Sequence, residues 1–192
     1  LGEVVDIHEF QILDEILRTI YNTEVVRSMP DNLSRSDSDM SLGVGWVIAQ
    51  GALFLFFFMA LFSGDTVSGV PGLIVAQVIG LIVALAGALL SVWSLMQHGW
   101  RVSPFPRPVD GAQLVESGPY RYVRHPMYSG IVLFTLGVGL AYANPVVLLT
   151  SFTFLVFFMA KTGREEEMLV ATVPGYRGYR SDVAWRLIPF VM

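Results

Sequence analysis

The sequence predicts an all-α protein, a polytopic transmembrane helical bundle of four spans, with five as the alternative count. Three observations carry this. Only 15% of the 192 residues are charged and 54% are hydrophobic, whereas ordinary soluble domains carry about 25% charged residues. Mean hydropathy is +0.59. The missing charge is absent from three long stretches, residues 42–62, 70–97 and 126–160, and an apolar run of about 20 residues is what a hydrocarbon core requires.

Residues 1–39 stand apart: they carry nine acids against Arg18, Arg27 and Arg35, while the remainder carries seven acids against nine bases. Phe10, Leu13, Leu17 and Ile20 recur at helical spacing, which predicts an amphipathic helix over 6–27. Its acidic polar face disfavours an anionic membrane surface and suits packing on a neighbour. A polar linker follows over 30–39. Met40 directly precedes the first apolar stretch, so 1–39 is expected to be an accessory or appended segment and 40–192 the membrane domain.

The first span is expected over 42–62 and the second over 70–97. In the second, Gly72, Ala76, Gly80, Ala84, Gly87 and Ala88 fall about one turn apart, a face that lets membrane helices approach closely. The stretch 126–160 is too long for one simple span. Asn144-Pro145 near its middle is a turn signal, so two short or tilted helices are expected, about 127–142 and 145–161. Residues 161–192 read as a charged tail without a span.

Four spans place the loops 63–69 and 143–145 on one side, and neither contains Lys or Arg. All twelve basic residues fall on the other side, which the positive-inside rule assigns to the cytoplasm. The polar stretch 98–125 and the tail therefore face one compartment and can build one site. The absence of cysteine excludes a disulfide framework, a thiolate zinc site and a cysteine nucleophile. No metal and no nucleic-acid partner are expected.

Two clusters carry candidate chemistry. Arg124 and His125 stand at a membrane entry, framed by Gly118, Pro119 and Pro126, which fix turns. A histidine beside a proline there either caps the helix or faces a shared cavity. Arg164-Glu165-Glu166-Glu167 follows the last apolar stretch. It is either a solvated helix end or a functional cluster, since carboxylates near a helix C-terminus oppose the macrodipole. Together the clusters offer cationic donors for an anion, carboxylates for hydroxyls or an ammonium, and the rings of Tyr120 and Tyr128 for an adenine or a sulfonium. No Gly-x-Gly-x-x-Gly follows a strand, which excludes a Rossmann nucleotide site.

The run Gly118-Pro-Tyr-Arg-Tyr-Val-Arg-His-Pro-Met-Tyr-Ser-Gly130 resembles the Arg-His-Pro-x-Tyr-x-Gly motif of the isoprenylcysteine carboxyl methyltransferases and the related phospholipid methyltransferases. Glu165-Glu166, Leu169, Pro174-Gly175, Tyr176, Tyr179, Arg186 and Ile188-Pro189 resemble the second hallmark of that family, and the likeness covers roughly 104–189. The resemblance implies S-adenosylmethionine as cofactor, held in a cytosolic pocket formed by the loop and the C-terminal tail. It implies Leu114, Val115, Tyr120, Arg124, His125, Pro126, Met127 and Tyr128 as pocket residues from the loop, with Glu165 and Glu166 from the last helix. The family carries an arginine about one turn before the acidic pair, near the substrate. Here Lys161 stands there, with Arg164 nearby, and a lysine is a point charge where arginine grips a carboxylate bidentately.

The implied reaction is methyl transfer to a lipophilic acceptor, an isoprenylcysteine-type carboxylate or a similar lipid-like or prenylated molecule entering from the surrounding membrane lipids. Phospholipid amine N-methylation and small-thiol S-methylation share the motifs. A catalytically silent scaffold is the alternative of another class.

Overall fold

The structure, a computed structural model, describes residues 31–98 and 113–189, with side chains from residue 43 onward. The helix expected over 6–27 lies outside the described residues. The chain divides into two compact units, Leu1–Leu42 and Gly43–Met192, and the site lies in the second.

Among the described residues five α-helices and one 3-10 turn form, and no strand. They are α1 (Asp31–Phe62), α2 (Leu73–His98), the turn Gly118–Arg121, α3 (Pro126–Ala141), α4 (Pro145–Thr172) and α5 (Tyr176–Asp182). The Gly43–Phe62 part of α1, all of α2 and all of α4 are long and apolar enough to cross a membrane, and α3 is a shorter apolar helix. These are the four apolar segments expected from the sequence. Residues 31–39, read as a linker, are instead helical. Extending an existing helix costs far less than nucleating one, so weak helix formers follow the span's lead. Helix α4 also outruns its expected end at 161, reaching Thr172.

The outer faces are apolar and exposed, as lipid contact requires: Ile48 and Met59 on α1, Ile74, Leu81 and Leu89 on α2, Leu149 and Phe152 on α4. Lipid tails are as apolar as leucine, so close packing rather than water exclusion holds the inner faces together. Between α1 and α4, Phe57 and Ala60 pack with Val147, Phe154 and Phe158. The ring centroids of Phe54 and Phe154 lie 4.8 Å apart and those of Trp46 and Phe157 5.3 Å apart.

Helices α2 and α3 touch backbone to backbone. A Cβ on Gly80 would collide with the α3 backbone at Gly137 and Ala141, and one on Gly87 with Gly130 and Phe134. Gly80, Ala84 and Gly87 of the small-residue face are buried here. Gly72 is not part of that contact: it sits before α2 with φ +78 and open space around it, a turn residue.

The α3–α4 hairpin turns at Asn144, as its sequence predicts. The Asn144 side chain accepts from the amides of Val146 and Val147 at 2.9 and 3.1 Å. Its Nδ2 donates to the Ala60 carbonyl of α1 at 3.0 Å. The Val67 amide donates to the Ala143 carbonyl at 2.9 Å. The two loops without basic residues therefore meet at one end of the bundle, and the motif loop meets the tail at the other.

Substituting leucine at Gly137 is expected to destabilise the detergent-purified protein by about 1–3 kcal/mol, the usual cost of overpacking. Gly51→Ala, where the added Cβ meets nothing within 4 Å, is expected to hold or raise stability by up to about 1 kcal/mol through helix propensity. Thermal unfolding followed by circular dichroism measures both.

Candidate active site

Successive residues on an α-helix point about 100° apart, since 3.6 residues make a turn. The three adjacent carboxylates of α4 therefore go to three places. Glu167 is exposed and pairs with Arg164 at 3.1 Å. Glu165 is half-buried and accepts from the Tyr128 hydroxyl at 3.0 Å. Glu166 is 1% exposed and is the hub of the site.

Glu166 Oε1 accepts from Arg124 Nε at 2.7 Å and meets His125 Nε2 at 3.2 Å. A carboxylate only accepts, so Nε2 carries the proton in that contact. Oε2 faces Arg124 Nη2 at 3.4 Å, Arg186 Nη2 at 3.3 Å and Arg180 Nε at 3.5 Å. Glu166 is not in the last turn of its helix, because α4 continues to Thr172. The macrodipole penalty expected from the sequence is therefore slight, and the surrounding cations stabilise the charge.

Arg124 commits its other donors to the tail: Nη1 donates to the carbonyls of Val183 at 2.6 Å and Ala184 at 2.8 Å. The backbone follows, with the Arg124 amide donating to the Trp185 carbonyl and the His125 amide to that of Arg186. Ser129 completes the seam by donating to the Leu187 carbonyl at 2.5 Å. His125 does occupy the N-cap of α3, but its ring makes no capping bond. The ring turns to Glu166 and stacks on Tyr128, with centroids 5.9 Å apart.

Tyr128 stacks in turn on Phe158 at 4.5 Å. The Lys161 ammonium lies 5.2 Å from the Tyr128 ring centroid and donates to Gln50 Oε1 of α1 at 2.6 Å. Lys161 is wholly buried. It is a bundle residue, not the first residue of a charged tail.

A second cluster adjoins the first. Tyr120, Val173, Tyr176 and Tyr179 form it, with Leu114, Val115 and Leu169 packed against them. The Tyr179 hydroxyl donates to the Tyr120 carbonyl at 2.7 Å, and His98 meets the Tyr120 ring edge-on at 4.9 Å. Burial pushes all three tyrosine hydroxyls up; Glu165 adds to this at Tyr120 and Glu166 at Tyr176. These phenols stay protonated and keep a proton to donate, as Tyr179 does to Tyr120. The Tyr176 hydroxyl is buried and has no hydrogen-bond partner among the described residues.

Of the residues singled out from the sequence, Arg124, His125, Tyr128, Lys161, Glu165 and Glu166 come together in one connected network. Tyr120, Leu114 and Val115 stand in the adjoining cluster. Leu114 and Val115 also line an open groove of about 550 Å³ with Gln97, Glu116 and Arg121. Pro126 opens α3, and the Met127 carbonyl accepts from Ser91 of α2 at 3.2 Å. Arg164 is exposed and pairs with Glu167. Gln50 was not foreseen, although it is the one strongly polar residue in 42–62. Arg180 was not foreseen either, for nothing in its local sequence marks it.

The phospholipid methyltransferase family profile matches residues 74–173. The chain belongs to this family. The match runs from the start of α2 just past the end of α4, taking in the motif loop and the acidic pair. No curated protein matches the chain. Among solved structures, that of the eukaryotic intramembrane Ras methyltransferase ICMT (isoprenylcysteine carboxyl methyltransferase) is similar, with a TM-score of 0.56 and 24% identity. The likeness covers 78% of this chain and 53% of that one, so the chain spans about half the length of that protein. The shared feature is the fold, a bundle of membrane-crossing helices.

Removing the hub charge strands three arginines and a histidine. Glu166→Gln is expected to cost about 3–5 kcal/mol, as breaking a buried ion pair does, and to unseat the tail. Limited proteolysis checks it: cleavage within residues 176–189 is expected to accelerate strongly, while Arg164→Ala leaves the digestion pattern unchanged.

Proposed function

We propose that the chain transfers a methyl group from S-adenosylmethionine to a lipophilic acceptor at the cytoplasmic face of a membrane, the acceptor being an isoprenylcysteine-type carboxylate or a similar lipid-like nucleophile. The observation that carries this is the buried Tyr176 hydroxyl without a partner, beside Glu165, Glu166 and Arg124. An unpaired buried hydroxyl costs about 1–3 kcal/mol, and a ligand acceptor there would remove that cost.

The residues fit the cofactor. Glu165 offers an acceptor for ribose hydroxyls or an ammonium, and Tyr176 a donor. Tyr120 and Tyr128 offer aromatic faces, and Leu114 and Val115 an apolar wall. When bound, S-adenosylmethionine supplies a methyl group on a sulfonium, the electrophile for in-line displacement. Arg124, His125 and Glu166, besides the cofactor contacts that the family resemblance implies, fix the tail against the loop and so set the positions of Tyr176 and Tyr179. Holding reacting groups in line is the main service such a site performs. Lys161 lies over the Tyr128 ring, near the acceptor side. Pro126 and Met127 place the start of α3.

Cytoplasmic placement follows from the distribution of charge. The loops at the far end carry no Lys or Arg, and the end bearing the site carries Arg121, Arg124, Arg164, Arg177, Arg180 and Arg186.

Calorimetry with S-adenosylmethionine tests the site. Wild-type protein is expected to bind. Glu165→Gln is expected to lose at least ten-fold in affinity, and its failure to do so would remove Glu165 from the pocket. Tyr176→Phe is expected to weaken binding three- to ten-fold while raising the stability of the cofactor-free protein, because it deletes an unsatisfied group. The chain has no cysteine, so orientation is read by single introduced thiols. Ser68→Cys is expected to react with a membrane-impermeant maleimide on intact cells, and Ser181→Cys only after permeabilisation. The reverse pattern overturns the orientation.

A further inference from the structure

Lys161 is the only lysine in the chain, against eleven arginines. It is also the most buried of the basic residues described, at 0% exposure. An ammonium inside a membrane bundle is costly unless partnered. Two of its neighbours come from other helices. Gln50 of α1 accepts from Nζ at 2.6 Å, and the Tyr128 ring of α3 lies under it at 5.2 Å. Tyr128 in turn donates to Glu165. A polar chain thus runs from Gln50 through Lys161 and Tyr128 to Glu165, crossing three helices. Gln50 lies outside the stretch matched by the family profile.

A carboxamide in an otherwise apolar span needs a polar partner, and a lysine, with three donors on a flexible stem, takes the position its acceptor dictates. In a low-dielectric interior, a charge fixed a few ångströms from a reacting group acts on it without contact. An arginine there would form a planar fork and pair with the acceptor molecule directly; a buried lysine tied to Gln50 keeps its charge behind the Tyr128 ring.

We propose that Gln50 is a positioning residue that fixes the Lys161 ammonium over the Tyr128 ring, so that its field selects acceptors whose reacting group is a carboxylate. The selection rests on the methyl-transfer reading above; the contact itself does not.

Two measurements separate them, both on the full chain in nanodiscs. The first uses [15N]lysine, which gives one side-chain signal because there is one lysine. Wild-type protein is expected to show a protected Lys161 ammonium. Gln50→Leu is expected to speed its exchange with water at least ten-fold, and Gln50→Glu, which keeps an acceptor oxygen, to restore protection. An unchanged signal in Gln50→Leu overturns the positioning role. The second compares acceptors with one tail, N-acetyl-S-farnesylcysteine, a carboxylate, and farnesyl thiol, which has none. Gln50→Leu is expected to raise KM for the carboxylate at least ten-fold with kcat changed less than three-fold, and to leave KM for the thiol and the calorimetric cofactor affinity as they were. Equal effects on both acceptors, or none on either, overturn the selectivity. Wild-type protein that binds no cofactor overturns the methyl-transfer reading and the selectivity built on it, and leaves the lysine signal to decide the Gln50 contact.

Discussion

The Glu166 carboxylate is the constraint on which the rest of the site depends. It is buried where an isolated charge is not tolerated, and it is made stable by groups from two separate parts of the chain: Arg124 and His125 of the loop, and Arg180 and Arg186 of the tail. Neither of these segments has a regular structure that would place it unaided. The loop is a 3-10 turn and a few extended residues, and the tail is one short helix followed by irregular chain. One carboxylate on a long helix gives them a common reference point. The tyrosines brought along by these segments then pack together in one buried cluster.

This division of labour separates two acids that look alike in sequence. Glu165 and Glu166 are neighbours, but Glu166 is surrounded by cations, whereas Glu165 is half-buried and accepts from a phenol. Glu166 ties the loop to the tail, and Glu165 is the less enclosed of the two carboxylates. Arg124 and His125 go with Glu166, since their side chains are committed to it and to the tail carbonyls.

Much of this was legible in the sequence. The four apolar segments, the turn at Asn144 and the small-residue face of α2 all follow from hydropathy, turn chemistry and side-chain size. The motif loop and acidic pair were recognisable because residue types and order carry them. The extent of α4 was not legible, because hydropathy falls at Lys161 while the helix continues; a charge ends an apolar run without ending a helix. The burial of Lys161 was hidden for the same reason, since its partner Gln50 stands more than a hundred positions away. Arg180 joins Glu166 through tertiary placement, which no local pattern records. The error over Gly72 has a plain cause: spacing alone does not distinguish a glycine that lets helices touch from one that turns the chain.

The end of the bundle remote from the site is fastened twice, by Asn144 to Ala60 and by Val67 to Ala143. Helix α4 is 28 residues long, a rod of about 42 Å. A rod pinned at one tip moves most at the other, so a tilt of about 3° at the hairpin carries the Glu165 end sideways by roughly 1–2 Å. The hairpin is in this respect the joint of the bundle, and where the Glu165 end of α4 comes to rest depends on the contacts that its neighbour Glu166 makes with loop and tail.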